Sequence, residues 1–263
     1  MEELKFEVAY MPKEVKKDLP QVCVLVDVLR ATTAMITMLD KGCSEIILTD
    51  DEQKTLEEVE NTVDQETLVC AEDAYGNVSE HAQFSPSLIS INNMDLKDKR
   101  IVLKTTNGTL AGFTLWNSGK DHVLVGSLRN AKAVMDKAVR MADELGMGVV
   151  IVCAGRENGE IAALDDAYTA GILLDYGKEA AAALNRVPLF KDSAKISTHL
   201  LESYPDTVQA FEDSGSGETM RRIGCKEDIK LCSVENLSDL APDLQFTANG
   251  SIVVKNMKKV VYK

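Results

Sequence analysis

The feature that most constrains this chain is the recurrence of short, valine-rich runs that are apolar at every position. Residues 22–26 read VCVLV and residues 149–153 read VVIVC. A strand without polar alternation has both faces buried, as in a parallel sheet covered by helices on two sides. Between these runs lie stretches with helical patterning. Residues 33–41 read as a helix closed by Gly42, the residue type that best ends one. Residues 45–49 (EIILT) read as a strand, 50–60 as an acidic, solvent-facing helix and 67–70 as a strand. After an irregular stretch, 75–99, come a strand at 101–103, a helix at 108–116, a strand at 122–125, an amphipathic helix at 128–145 ending at Gly146, and a helix at 163–176. This alternation predicts an α/β chain, a three-layer α/β/α fold with a mainly parallel or mixed sheet.

The last third is less regular. Residues 194–211 are helical in pattern, 213–218 (DSGSGE) read as a flexible turn and 218–223 as a short helix. Residues 229–233, 251–254 and 259–262 read as strands, and Asn249-Gly250 favours a hairpin there. No low-complexity linker interrupts the chain, so residues 1–263 are expected to form one compact unit. A strand, polar turn and Thr-rich helix start recur at 27–33 and 104–109. This hints at two related halves, about 1–121 and 122–263, sharing one site.

Charge narrows the partners. Forty-two Asp and Glu against 29 Lys and Arg give a net charge of −13, which argues against nucleic acid and anionic membranes. No apolar run approaches the roughly 18–20 residues that cross a bilayer. The start, MEELKF, has neither a basic nor an apolar leader region. The six cysteines include no CxxC pair and mostly sit in strand-like runs, as reduced thiols of a cytoplasmic protein would. The three histidines, His81, His122 and His199, lack ligand spacing, so no zinc site is expected.

In open parallel sheets ligands bind beyond the carboxyl ends of the strands. The first apolar strand leads into Asp27, Arg30, Thr32 and Thr33; the strand at 67–70 leads into Glu72 and Asp73. The strand at 101–103 is followed by Lys104, Thr105, Thr106, Asn107, Gly108 and Thr109, and that at 122–125 by Gly126 and Ser127. The strand at 149–153 leads into Gly155, Arg156 and then Asp165-Asp166. Taken singly, each has an ordinary use: Thr32, Thr33 and Ser127 as helix caps, Asp165-Asp166 as partners of a helix dipole, Arg30 and Lys104 as surface charges. Together they form a cradle for an oxyanion, with carboxylates that would repel it unless a hard cation lies between. The sequence contains no GxxxxGK[ST], GxGxxG or GxSxG motif.

The segments VDVLRATTAMITML (26–39), KTTNGT (104–109), GSLRNA (126–131) and VCAGRENGEIAALDDAYTAG (152–171) resemble the 2-phosphosulfolactate phosphatase family, in family order and over about residues 22–254. The resemblance implies a Mg²⁺-dependent phosphoric monoester hydrolase converting (R)-2-phospho-3-sulfolactate to 3-sulfolactate and phosphate, in the route toward coenzyme M or sulfolactate. Where the family usually has a Gly-Glu-Arg-Gly-like segment, this chain reads CAEDAYG: Glu72 matches and Asp73 replaces the arginine. The family's Glu-Asp at the last helix start is here Asp165-Asp166.

On this reading the catalytic set is Asp27, Arg30, Lys104 and Asp165, and Asp27, Glu72 and Asp166 (or its neighbour Asp165) hold Mg²⁺. Arg30, Thr32, Thr33 and Lys104 bind the phosphoryl oxygens. Thr105, Thr106, Asn107, Gly108, Thr109 and Ser127 supply further donors. Arg156, with Arg221 as a second candidate, faces the sulfonate or carboxylate. The attacking group is either an activated water or Asp27 itself. Cys153 and Arg156 are three residues apart, too close for the CxxxxxR loop of cysteine phosphatases, so Cys153 is read as packing. The partner is a small anionic phosphomonoester, and a homo-oligomer is left open. Two rivals stand beside this reading: a broader phosphatase for phosphorylated 2-hydroxy acids, and a non-enzymatic anion sensor.

Overall fold

Alternating burial along the strands sets the layers of the protein, whose computed structural model describes residues 2–17, 21–60, 66–73, 75–247 and 250–256. In β2 (Gln21–Val26) every position is buried. Val22, Val24 and Val26 face one apolar core, while Cys23 and Leu25 face a second. In chain order, β1 (Glu3–Ala9) precedes β2, which is followed by α1 (Ala31–Asp40), β3 (Glu45–Leu48), α2 (Glu52–Glu60) and β4 (Thr67–Ala71). Next come α3 (Leu88–Asn92), β5 (Arg100–Lys104), α4 (Gly108–Asn117), β6 (Val123–Gly126), α5 (Ala131–Leu145), β7 (Gly148–Cys153) and α6 (Leu164–Ala183). The remainder is β8 (Val187–Phe190), α7 (Asp192–Leu200), α8 (Thr207–Asp213), α9 (Gly215–Arg222), α10 (Lys226–Cys232), β9 (Asp243–Phe246) and β10 (Ile252–Lys255).

Ten strands form one mixed sheet in the order β4-β5-β3-β10-β9-β6-β2-β7-β1-β8. Both sides of the β9–β10 hairpin are antiparallel to their neighbours, and the other pairings are parallel. Helices cover both faces: α1, α3 and α4 contribute to the core behind Cys23 and Leu25, and α5, α6, α8 and α10 to the core behind Val22 and Val24. The three-layer α/β/α expectation therefore holds. Among the described residues no helix is long and apolar enough to cross a membrane. All six cysteines are free thiols.

Several local readings need correction. Residues 229–233 are not a strand: Ile229 and Cys232, three apart, bury the inner side of α10, and so short an apolar run fits either period. The helix expected over 194–211 breaks into α7, a 3₁₀ turn at Leu201–Ser203 and α8. Pro205 ends the first part, and the Asp206 carboxylate caps α8 by accepting the Gln209 N–H at 2.9 Å. The DSGSGE segment is not all turn, because Ser214 caps α9 through the Gly217 N–H at 2.9 Å. The irregular stretch contains the short helix α3. The C-terminal hairpin pairs β10 with β9, so residues 243–246 form an arm that the sequence reading missed. The strand expected at 259–262 lies outside the described residues. β1 and β8 were also unread: β1 alternates polar and apolar residues as a strand does, so its signal was present, whereas β8 is only four residues long and contains Pro188, which weakens a strand pattern.

Two glycines test how the layers touch. A Cβ on Gly171 of α6 would stand 2.4 Å from the Ser197 carbonyl oxygen of α7, a backbone atom that cannot step aside. One on Gly112 of α4 would meet Leu244, Leu48 and Ile252 at 3.5–3.6 Å, ordinary contact distances. Urea denaturation is expected to show Gly171→Ala destabilised by about 1–3 kcal/mol and Gly112→Ala stabilised by about 0.5–1 kcal/mol through helix propensity. Losses at both positions would contradict this packing.

Candidate active site

Asp27 follows the last residue of β2 and stands where two helices begin. Its Oδ1 accepts the Ala31 N–H at 3.3 Å at the start of α1, and the Gly108 N–H at the start of α4 also reaches the carboxylate. Gly108 is required there: a Cβ would lie 2.9 Å from Asp27 Oδ2 and 2.7 Å from the Ala31 methyl. Thr32 locks the turn, its hydroxyl donating to the Asp27 carbonyl at 2.9 Å while accepting the Asp27 N–H at 3.1 Å. Thr33 donates to the Val28 carbonyl at 2.9 Å. Across the site, the Thr105 N–H donates to Thr109 Oγ1 at 3.0 Å and the Thr109 N–H to Thr105 Oγ1 at 3.1 Å. This reciprocal pair shapes the loop into α4. The threonine-rich motifs thus build the helix starts, leaving N–H groups and dipoles aimed at Asp27.

Two carboxylates crowd Asp27. Burial, then the charge of Glu72, pushes the Asp27 carboxyl up to about 7; Asp165 adds to the effect and the Ala31 and Gly108 N–H groups oppose it. Burial also pushes Asp165 up to about 6, against its own N–H, the hydroxyls of Ser216 and Ser214, and the charge of Arg156. Asp165 Oδ1 is a buried oxygen without a hydrogen-bond partner. Buried acceptors are rarely left so. Asp166, the next residue, is fully committed. Its Oδ1 accepts the Val28 N–H at 3.0 Å and its Oδ2 the Gly155 N–H at 3.1 Å, tying the loops after β2 and β7 together. Burial, then Asp165 and Asp27, holds Asp166 well above the usual carboxylate range. Successive side chains on a helix point about 100° apart, so one aspartate opens to the site and the other latches it.

Arg156 lies beside Asp165. Its guanidinium packs on the first residue of α9, so closely that a Cβ on Gly215 would fall 1.8 Å from Nη1. Its backbone pairs with Ile161, while among the described residues its guanidinium makes no hydrogen bond and acts on Asp165 through its charge. Arg30 differs: only 3% exposed, it donates to Glu72 Oε2 at 3.2 Å, the Gly76 carbonyl at 3.1 Å and Asp228 Oδ2 at 3.2 Å. Glu72 Oε1 accepts the Thr106 N–H at 3.4 Å.

The structure therefore gathers Asp27, Glu72, Asp165, Arg156 and the starts of α1 and α4. Other expected residues lie elsewhere. Lys104 lines a separate small cleft with Thr55, Ser79 and His81. It shares the strand face of Val102, whereas Ile101 and Leu103 face the core that contains Ala31. Arg221 is exposed in the last turn of α9 and donates to the Glu212 carbonyl at 2.6 Å, about 9 Å along the helix from Gly215. Ser127 is fully buried and serves as a cap, accepting the Arg129 N–H at 3.1 Å. Asn107 accepts the Asn158 N–H at 3.1 Å, pinning the loop after β7 to the start of α4. Asp73 organises its own turn, accepting the Tyr75 and Asn77 N–H groups at 2.8 and 2.9 Å. Burial, then Asp166, holds the Cys153 thiol well above its ordinary range, which disfavours a thiolate nucleophile. Asp228, Ser214 and Ser216 were missed. Their only sequence signals were an acid in the first turn of α10 and a serine ahead of α9.

Asp27 and Asp165, with Glu72 behind them, form a hard-oxygen set suited to Mg²⁺, which takes one or two carboxylates and completes its shell with water and substrate oxygens. As they stand, no three such side chains among the described residues are close enough to hold an ion alone. The orphaned Asp165 oxygen is nonetheless what a cation would satisfy.

The model of the 2-phosphosulpholactate phosphatase family matches residues 9–246. The chain belongs to this family. Relatives named probable 2-phosphosulfolactate phosphatase include a Deinococcus radiodurans protein, 31% identical over 86% of this chain and 88% of its own. A Thermus thermophilus protein is 30% identical over 90% and 93% of the two chains. One from Clostridium novyi is 26% identical over 85% and 88%. The family match runs from the end of β1 to β9 and so takes in the whole site.

The two neighbouring aspartates should separate in thermal denaturation with EDTA present. Asp166→Asn loses one of its two backbone bonds and turns an amide against an N–H, and is expected to cost about 1–3 kcal/mol. Asp165→Asn relieves a crowded carboxylate whose Oδ1 has no partner but weakens its interactions with Ser214, Ser216 and Arg156, and should shift the midpoint less than Asp166→Asn does. Equal losses would show that both carboxylates are structural.

Proposed function

We propose that the protein is a Mg²⁺-dependent phosphatase that hydrolyses (R)-2-phospho-3-sulfolactate to 3-sulfolactate and phosphate in the cytoplasm, in the route toward coenzyme M or sulfolactate. The observation that carries this reading is the meeting of two helix starts on Asp27 beside the unpartnered Asp165 oxygen and the unpaired Arg156 guanidinium. Family membership and the names of the relatives support the substrate. The free thiols fit a reducing compartment.

Asp27 and Asp165 would hold the ion, with the charge of Glu72 nearby. When bound, Mg²⁺ supplies charge neutralisation for the phosphoryl oxygens and lowers the pKa of a bound water. The remaining work falls to the chain. The first N–H groups of α1 and α4 are held by Asp27, so these helices act on the phosphoryl group through the positive ends of their dipoles, which favour charge that develops on it. Arg156 receives the sulfonate or carboxylate, fixing which end of the substrate faces Asp27. Asp166 keeps the loops after β2 and β7 at a constant separation, so the phosphoryl and sulfonate ends are gripped by one rigid frame.

The unpaired guanidinium favours a substrate with a second anion over a simple monoester. Phosphate release from 2-phosphosulfolactate is expected to require Mg²⁺ and to stop in EDTA. Asp27→Asn and Asp165→Asn should lower turnover by about two to three orders of magnitude. Arg156→Met should raise KM for 2-phosphosulfolactate by at least tenfold, yet change hydrolysis of 4-nitrophenyl phosphate little. Binding of the ester without phosphate release would favour an anion sensor. Equal rates on sulfonated and unsulfonated esters would favour the broader phosphatase.

A further inference from the structure

Asp228 lies on α10, outside the residues assigned to the reaction, yet it is fully buried and bonded on both oxygens. Its Oδ2 accepts Arg30 Nη1 at 3.2 Å. Its Oδ1 accepts the Leu88 N–H at 3.0 Å, the Ile89 N–H at 3.4 Å and the Ser87 hydroxyl at 3.3 Å, closing the start of α3. Arg30 in turn gives both Nη2 protons to Glu72 Oε2 and the Gly76 carbonyl. The side chains of Arg30 and Asp228 are 1% and 0% exposed, and that of Glu72 is 16%. One buried cation is thus shared by two carboxylates, and only Glu72 opens toward Asp27.

That sharing has a directional consequence. A guanidinium and a divalent cation compete for the charge of Glu72. While Asp228 is ionised, it neutralises Arg30 from behind, and Glu72 keeps negative charge for the site. Without the Asp228 charge, the whole guanidinium falls on Glu72 in a poorly solvated place, where Coulomb terms are strong. We infer that Asp228 is a positioning residue that acts through Arg30 on Glu72 and so sets the affinity of the site for a divalent cation. The inference rests on the cation-assisted reading above. It extends that reading to a partner of a partner, where changes commonly cost about 10–100-fold in metal affinity.

A purely structural role, capping α3, is the alternative, and Asp228→Asn separates the two. Asparagine can keep the α3 cap through its one oxygen while its amide turns against Arg30 Nη1, so the carboxylate charge facing Arg30 is lost and stability is expected to fall without unfolding. Calorimetric titration of the full-length protein with MgCl₂ is expected to show binding weakened about tenfold in Asp228→Asn. The Mg²⁺ concentration for half-maximal turnover should rise to match, with kcat at saturating Mg²⁺ within about twofold of wild type. Ser87→Ala, which touches only the cap, should lower stability and leave Mg²⁺ affinity as it was. The double variant Arg30→Gln/Asp228→Asn removes both charges and should recover most of the affinity lost in the single one. A folded Asp228→Asn with wild-type Mg²⁺ affinity overturns the inference and leaves the phosphatase reading intact. Wild-type protein that binds Mg²⁺ but releases no phosphate overturns the phosphatase reading alone. Wild-type protein that binds no Mg²⁺ overturns both.

Discussion

The desolvation of carboxylates at the carboxyl end of the sheet is the constraint around which the rest of the molecule is arranged. Asp27, Asp165 and Asp166 are each less than a tenth exposed, and charges so placed are costly unless hydrogen-bonded or paired. The fold answers with backbone. Asp27 receives the N–H groups of two helix starts, and Asp166 those of Val28 and Gly155. Glycine at 108 and 155 lets backbone approach where a side chain would collide with Asp27 or with the Ile161 carbonyl. Of these three carboxylates only that of Asp165 keeps an oxygen unanswered; among the described residues the other such buried oxygen is the Thr169 hydroxyl, one turn on in α6.

Arg30 illustrates how far that constraint reaches. A guanidinium buried this completely cannot be left alone, and it draws in Glu72 from the end of β4, the Gly76 carbonyl and Asp228 from α10. Asp228 then holds α3. A single cation thus links four stretches that are far apart in sequence. The excess acidity is spread unevenly: Asp50, Asp51 and Glu57 are exposed, whereas the Arg156 guanidinium stands beside Asp165 in the candidate site.

Much of this was legible in the residues, and the failures have physical causes. The apolar runs at 22–26 and 149–153 announced a parallel sheet because only burial on both faces removes alternation. Strand ends then located Asp27, Glu72, Asp165 and Arg156 at the right height. Height is not side, however. Lys104 ends a strand as Asp27 follows one, but its parity with Val102 turns it to a different cleft. Asp165 and Asp166 are chemically identical in the sequence; only their angular placement on α6 distinguishes an open carboxylate from a latch. Asp228 was invisible for another reason: it belongs to a short helix whose apolar spacing fits a strand equally well, and its partners lie 140 and 198 residues away.

The hairpin of β9 and β10 carries a consequence for how such a molecule comes together. It sits in the middle of the sheet, between β3 and β6, although it follows every other described element in sequence. On one side of it lie β4, β5 and β3, which bring Glu72 and the threonine loop; on the other lie β6, β2 and β7, which bring Asp27, Asp165 and Arg156. The sheet reaches β6 through one bridged pair, Leu124 with Asp243, and a bond from the Val125 N–H to the Pro242 carbonyl at 2.9 Å. The block of β3, β4 and β5 is local in sequence, whereas β1 and β2 meet β6, β7 and β8 only through distant pairings such as Cys23 with Val123 and Glu3 with Val187. Joining the two sides in the sheet waits for a long-range closure, the kind of step that slows folding. Glu72 and Asp27 come from opposite sides of that seam, so their meeting requires the two sides to be joined.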